Sequence, residues 1–300
     1  MGKISGGIRP EFKGKVLGLR GEFVFGTAVF FIALISGVMG ALLGLGGGIF
    51  LVPLLTLFLD LPMKTAVGTS LVAVVATSLS ASSTYIRKGL TNLRLGLLLE
   101  TATSFGAVTG GYIAVFLHEN VLALVFSIVA FYTAGSMLVD KNQSEYHKSC
   151  ETGKEDPLNL SACFTDEVSG NTTTYQPRRP LAGSAASVVA GAISGLLGIG
   201  GGPVKVPVMK MLMGLPLKAA TATSSFMVGI TASTGALVYL SRGYIQEELT
   251  ALTVFGTFVG ARLGVKVACS IRSRHLNMIF VIVLIIISVQ MLLKGLGLKG

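Results

Sequence analysis

The chain has 300 residues, of which 51% are apolar and only 13% charged, with a formal net charge of +10, and its mean hydropathy is +0.74. That balance excludes a water-soluble enzyme and places the chain among multi-pass proteins of the cell membrane, because an apolar run of about 20 residues is what a spanning helix requires. The basic residues flank apolar runs and form no stripe, which reads as membrane orientation and anionic-lipid contact and excludes nucleic acid as a partner.

In chain order, residues 1–21 carry Lys3, Arg9, Lys13, Lys15 and Arg20 and are expected to form a cytoplasmic segment. The run Phe23–Leu43 is too long for a signal peptide and lacks a small-residue cleavage site, so it predicts a retained span. A glycine run follows in LLGLGGGIFLVPLL (42–55), leading into a short apolar piece, Ile49–Leu59. At ~1.5 Å per residue such a piece covers only about half of the hydrocarbon layer, so it predicts a half-helix or re-entrant segment. Spans at Thr65–Ile86, Leu95–Leu117 and Val121–Val139 complete a first transmembrane repeat, 22–139.

Residues 140–180 are polar and hold seven of the fourteen acids. They predict an extramembrane linker. Cys150 and Cys163 lie within it, and a bridge between them would imply an oxidising face. Asn142, Asn159 and Asn171 begin N-x-S/T triplets, which matter only in a secretory host.

A second transmembrane repeat occupies 181–300, with spans at 181–197, 217–240, Leu249–Cys269 and Leu276–Leu293. Its short piece, Pro203–Met213, follows LLGIGGGPVKVPVM (196–209), which repeats the first glycine run 154 positions on. The same offset carries LPMKTAVGTS (61–70) onto LPLKAATATS (215–224) and YIRKG onto YLSRG. The predicted fold is therefore an all-α polytopic membrane protein with two homologous repeats of four to five helical segments each. Two arrangements remain open. If the short pieces do not cross, the repeats are parallel and the 87–94 basic cluster shares the side of the N-terminus. If they do, the repeats are inverted and the linker lies outside, with the 87–94 cluster.

Interrupted spans at matching places of two halves point to a transport site. Gly46, Gly47, Gly48 and Gly200, Gly201, Gly202 precede half-helices whose first turns offer unpaired N–H groups and a positive dipole end, a ready site for an anion. The hydroxyls of Thr69, Ser70, Thr223 and Ser224 are candidate donors to the same anion, although Ser and Thr in membranes commonly bond backbone carbonyls. Lys205 stands where the first repeat has Leu51, and Arg262 where it has Tyr112; a cation at such depth needs an anionic partner. Glu100 is the acid best placed in a span and is the candidate coupling or Arg-pairing group, while Asp60 and Lys64 predict a local pair. The small-xxx-small pairs Gly106/Gly110 and Gly256/Gly260 predict close helix packing. His118, His147 and His275 fall in predicted loops, and neither a catalytic group, a metal site nor a cofactor motif is expected.

The duplicated G-x-GGG-x₃-VP block followed by LP-x-K-x-A-x₂-TS resembles the TauE/SafE sulfite exporter family over both repeats. The resemblance implies a secondary transporter, not an enzyme, that exports sulfite or an organosulfonate such as sulfoacetate. It further implies coupling to a proton or sodium gradient; an uncoupled anion channel and an importer are the alternatives. The long linker departs from a compact duplicated permease.

Overall fold

The computed structural model describes residues 19–139, 160–165, 172–270 and 274–298. Cys150, His147 and the three N-x-S/T asparagines lie outside the described residues. Ten helices are described: α1 (Leu19–Leu43), α2 (Gly48–Phe58), α3 (Met63–Arg87), α4 (Leu93–Phe116), α5 (Glu119–Val139), α6 (Pro180–Leu197), α7 (Gly202–Pro207), α8 (Leu217–Ser241), α9 (Glu247–Ser270) and α10 (Arg274–Gly295). Among the described residues, six helices are long and apolar enough to cross a membrane. The chain is an all-α polytopic membrane protein.

The glycine runs explain why two helices are short. Gly47 is the αL cap of α2 and lies against the Ser36 carbonyl, so the chain doubles back beside α1 instead of continuing beyond it. Pro53 is accommodated within α2. The second short piece behaves differently: α7 ends at Pro207 and passes into a π-helical turn, Val208–Leu212. Pro207 cannot donate to the ladder and crowds the preceding turn, which accounts for the break.

Glycine ladders set the helix packing. Gly256, Gly260 and Gly264 of α9 lie on Phe30, Leu34 and Val38 of α1 in turn, which makes the two helices parallel. Gly106 and Gly110 of α4 lie in the same way on Val188 and Ala192 of α6, and Gly191 and Gly195 of α6 on Thr103 and Ala107 of α4. An added Cβ would strike partner backbone at these places, so the expected packing role of the small-xxx-small pairs holds. The centre is made by α3 and α8, where Ser78 donates to the Ser225 carbonyl.

The turns sort into two ends. At one end the Lys64 ammonium of α3 donates to the Val115 carbonyl of α4 at 2.7 Å, and lies over the Tyr244 ring. Lys64 thus finds Val115 and Tyr244 in place of the expected partner Asp60, which is exposed with φ +48. Glu119 accepts from Met63 N, and Lys294 of α10 donates to Thr56 O of α2 at 2.6 Å. At the other end a linker hairpin, β1 (Ala162–Thr165) antiparallel to β2 (Thr172–Tyr175), was not foreseen. Asn92 Nδ2 donates to Leu160 O at 2.8 Å, and Arg178 N to Met213 O at 2.9 Å. Leu160 and Tyr175 enter one buried cluster with Leu95, Met213 and Leu215. The linker, the turn before α4 and the turn before α8 therefore share an end. Four full crossings per half with non-crossing short helices would put the last two at opposite ends. Cys163 is exposed on β1, and His275 falls in the first turn of α10 instead of a loop.

Candidate functional site

The two glycine runs meet at the middle of the molecule. Gly46 (φ +79) and Gly200 (φ +74) both lie against the same two side chains, Val74 of α3 and Val228 of α8. Gly48 abuts the Gly198 carbonyl and Ile199, while Gly202 abuts Leu45 and the Gly44 carbonyl. The loops are thus packed on each other, each supplying backbone to its counterpart's wall. Neither Gly47 nor Gly201 receives a side-chain cap, so the first N–H groups of α2 and α7 keep their donor character. Pro203 removes one such donor from α7 that Ile49 retains in α2.

The predicted hydroxyls divide. Ser70 Oγ donates to Gly198 O at 2.9 Å and Ser224 Oγ to Gly44 O at 3.2 Å, a reciprocal pair of clamps from α3 onto the loop before α7 and from α8 onto the loop before α2. Their protons are engaged on carbonyls, away from the anion-donor role expected of them. Thr223 Oγ1 accepts from Asn92 N at 3.0 Å. Thr69 Oγ1 is fully buried without a partner, as are Ser36 Oγ of α1 and Ser194 Oγ of α6. Ser36 and Ser194 flank Gly47 and Gly201, the two caps.

Lys205 leaves the first turn of α7 and folds back along its cap, so that its Cε lies 3.3 Å from where a Gly201 Cβ would be. Its ammonium ends 3.3 Å from Glu100 Oε2 and 2.5 Å from Thr231 Oγ1. Thr231 Oγ1 is 2.6 Å from Glu100 Oε1 and 3.1 Å from the Met227 carbonyl; Ser104 Oγ donates to Glu100 Oε1 at 3.2 Å. The Lys205 and Glu100 side chains are 1% and 4% exposed. They are the only two charged residues among the buried described ones. Glu100 thus pairs with Lys205, where an arginine partner was a candidate from sequence. Thr231 and Ser104 escaped the sequence reading; Ser104 follows Glu100 at i+4 on α4, and Thr231 stands seven residues after Ser224 on α8, spacings that place each on a shared helical face.

Arg262 is not brought to this centre. It is exposed on α9, its guanidinium 5.4 Å from the Phe258 ring, and Tyr112 is likewise exposed on α4. The sequence could not give the side of the helix that packs, which Gly260 and Gly264 decide.

A cavity of about 200 Å³ lies between the end of α5, the start of α8 and the second broken helix. It runs from Thr133, Ser136 and Thr221 to Leu45 of the first glycine loop and Pro203 at the start of α7, with Lys210 on its wall. It therefore links the hairpin end to the glycine runs. Toward the opposite end α2 is closed over by α10, through Lys294 on Thr56 O and Thr56 Oγ1 on Met291 Sδ at 3.7 Å. Among the described residues no cluster of three metal-binding side chains occurs.

The family model described as "Sulfite exporter TauE/SafE" matches residues 29–291. The chain is similar to "Probable membrane transporter protein YunE" of Bacillus subtilis (strain 168), at 30% identity over 88% of this chain and 96% of that protein. It is also similar to "Probable membrane transporter protein YdhB" of the same organism, at 24% identity over 79% and 88% of the two chains. A third relative is "Probable membrane transporter protein MJ0441" of Methanocaldococcus jannaschii, at 26% over 87% and 93%. No solved structure matches the chain.

Proposed function

The chain belongs to the sulfite exporter TauE/SafE family and is a membrane transporter, and from that premise we propose that it carries a small sulfur-containing oxyanion, sulfite or an organosulfonate such as sulfoacetate, out of the cytoplasm by alternating access. The observation that carries the reading is the meeting of two uncapped glycine turns beside a buried Lys205–Glu100 pair. Helix starts within an apolar layer need an acceptor, and an oxyanion supplies it. Gly46, Gly47, Gly48, Gly200, Gly201 and Gly202 form the backbone cradle, with Thr69, Ser36 and Ser194 as hydroxyls still lacking a partner. Lys205 is the fixed positive charge and Glu100 the coupling group. Ser70 and Ser224 serve the site indirectly, by holding the two loops together.

We read the chain as residues 1–21, a first transmembrane half 22–139, a linker 140–180 and a second half 181–300, the halves inverted. The shared end of the linker, the turn before α4 and the turn before α8 supports that relation. The cavity is then the access route from the linker end, and the α2–α10 contact is the closed gate of the other.

Counterflow of labelled sulfite in proteoliposomes tests the reading. The expected result is saturable exchange in the wild type, its loss in Lys205→Ala with insertion intact, and its persistence in Arg262→Ala. No exchange with sulfite or sulfoacetate in the wild type would remove the proposed substrate class. A thermal-shift panel of sulfite, sulfate, thiosulfate, sulfoacetate and taurine then names the preferred anion through linkage.

A further inference from the structure

The geometry of the buried pair gives the coupling role of Glu100 a mechanism. Lys205 can serve an incoming anion only if the anion takes the place that Glu100 now holds. We propose that Glu100 is a built-in competitor for Lys205, released by a proton, so that each monovalent anion moves together with one proton in the same direction. This rests on Lys205 being the anion's partner.

Three observations carry the inference. The first is charge balance. Lys205 and Glu100 are the only buried charged residues described, and together they are neutral. An anion added to that pair leaves a net negative charge in an apolar interior, which is costly. Protonation of the Glu100 carboxylate restores neutrality: the acid stays as a neutral group, the ammonium keeps its proton, and the anion becomes the counter-ion.

The second is the geometry of Thr231. Its single hydroxyl proton has two acceptors, Glu100 Oε1 at 2.6 Å and Met227 O at 3.1 Å. With Glu100 ionised the proton is drawn to the carboxylate. With Glu100 protonated the hydroxyl turns to Met227 O and presents its oxygen to the new acid proton. The carboxyl group therefore has partners in both states, which a merely structural ion pair does not require.

The third is the identity of the coupling ion. A metal cation at Glu100 would have to share one carboxylate with an ammonium 3.3 Å away. A proton bound on the carboxylate itself needs no such shared coordination.

The surroundings offer no rival titrating group at the pair. Of the helices packed around it, α6 has no ionisable residue, and α8 has only Lys218 and Tyr239 near its two ends. On α4 the others are Arg94 and Tyr112, both exposed; on α5 they are Glu119 and Tyr132, also exposed; the π-helical turn adds the half-buried Lys210.

Two measurements test this. Methanesulfonate and sulfite are each given to proteoliposomes at zero membrane potential as labelled anions, with protons counted by an entrapped pH dye for methanesulfonate, which unlike sulfite exchanges no proton of its own near neutral pH. The expected result is one proton per monovalent anion, and accumulation that changes about tenfold per unit of pH gradient. Anion flux with no accompanying proton movement overturns the proposal. The second measurement needs no ligand: infrared spectra of the purified protein at neutral pH. Lys205→Met imitates displacement and should show a protonated carboxyl band that is absent from the wild type and from Lys205→Met/Glu100→Gln. A Lys205→Met spectrum without that band overturns the proposal. Loss of the transporter reading shows separately, as wild-type vesicles without counterflow of either anion.

Discussion

Replacing Gly200 by Ala tests the central packing quantitatively. Gly200 has φ +74, and a Cβ there would lie 2.6 Å from Val228 Cγ1 and 2.9 Å from Val74 Cγ1. The left-handed backbone alone costs an L-residue about 1–2 kcal/mol. Forcing a methyl group into a packed interior adds about 1–3 kcal/mol, so the total should be roughly 2–5 kcal/mol. Gly89 is the control: its φ is +66, but nothing lies within 4 Å of an added Cβ. Gly89→Ala should carry the backbone cost only, about 1–2 kcal/mol. Thermal unfolding in detergent, followed by helical circular dichroism because the chain has no Trp, should place Gly200→Ala well below Gly89→Ala. Adding Val228→Ala should return much of the packing part. Equal midpoints for the two glycine variants would refute the reasoning, since only the tertiary contacts distinguish them.

Three other outcomes follow from the contacts described. Lys205→Met should cost about 3–5 kcal/mol by removing the counter-ion of a buried acid, which must then take up a proton, and the double variant with Glu100→Gln should recover most of it; additive effects in unfolding midpoints would deny the pair. Ser70→Ala and Ser224→Ala should each cost about 1–3 kcal/mol by leaving the Gly198 or Gly44 carbonyl without its donor, and should lower transport more than either cost alone explains, since the clamps hold the loops; flux unchanged in both would remove that role. Burial pushes the Tyr175 phenol above its ordinary value near ~10, more than the Asn92 hydrogen bond lowers it. The unfolded chain therefore loses that proton first as pH rises, so this phenol's contribution to stability is full below about pH 10 and falls above it. Tyr175→Phe should flatten that alkaline fall, read as the unfolding midpoint between neutral pH and pH 11.

Much of the architecture was legible in the chain because hydropathy and glycine placement are local properties. Span limits such as Phe23–Leu43 and Leu95–Leu117 differ from α1 and α4 by a few residues at most. The short helices were legible too, because a glycine run before a proline-bearing apolar piece leaves little room for a full span. The linker hairpin was not, since its strands are four residues long and gain their place from Leu95, Met213 and Leu215 far along the chain.

The sequence by itself determined a membrane protein with two glycine-broken helices, and it singled out Lys205 and Arg262 as cations needing a partner and Glu100 as the acid best placed in a span. That Lys205 and Glu100 partner each other was decided only by the tertiary structure. They are 105 positions apart, and burial makes their pairing obligatory without any local pattern recording it. The same holds for the hydroxyls: Ser70 and Thr69 are neighbours in sequence, yet one clamps the opposite loop and the other has no partner. A side chain's residue type is local information, but the direction it faces depends on which helix packs against it. For Arg262 that direction is outward, because the glycines beside it bring α1 onto the other face of α9.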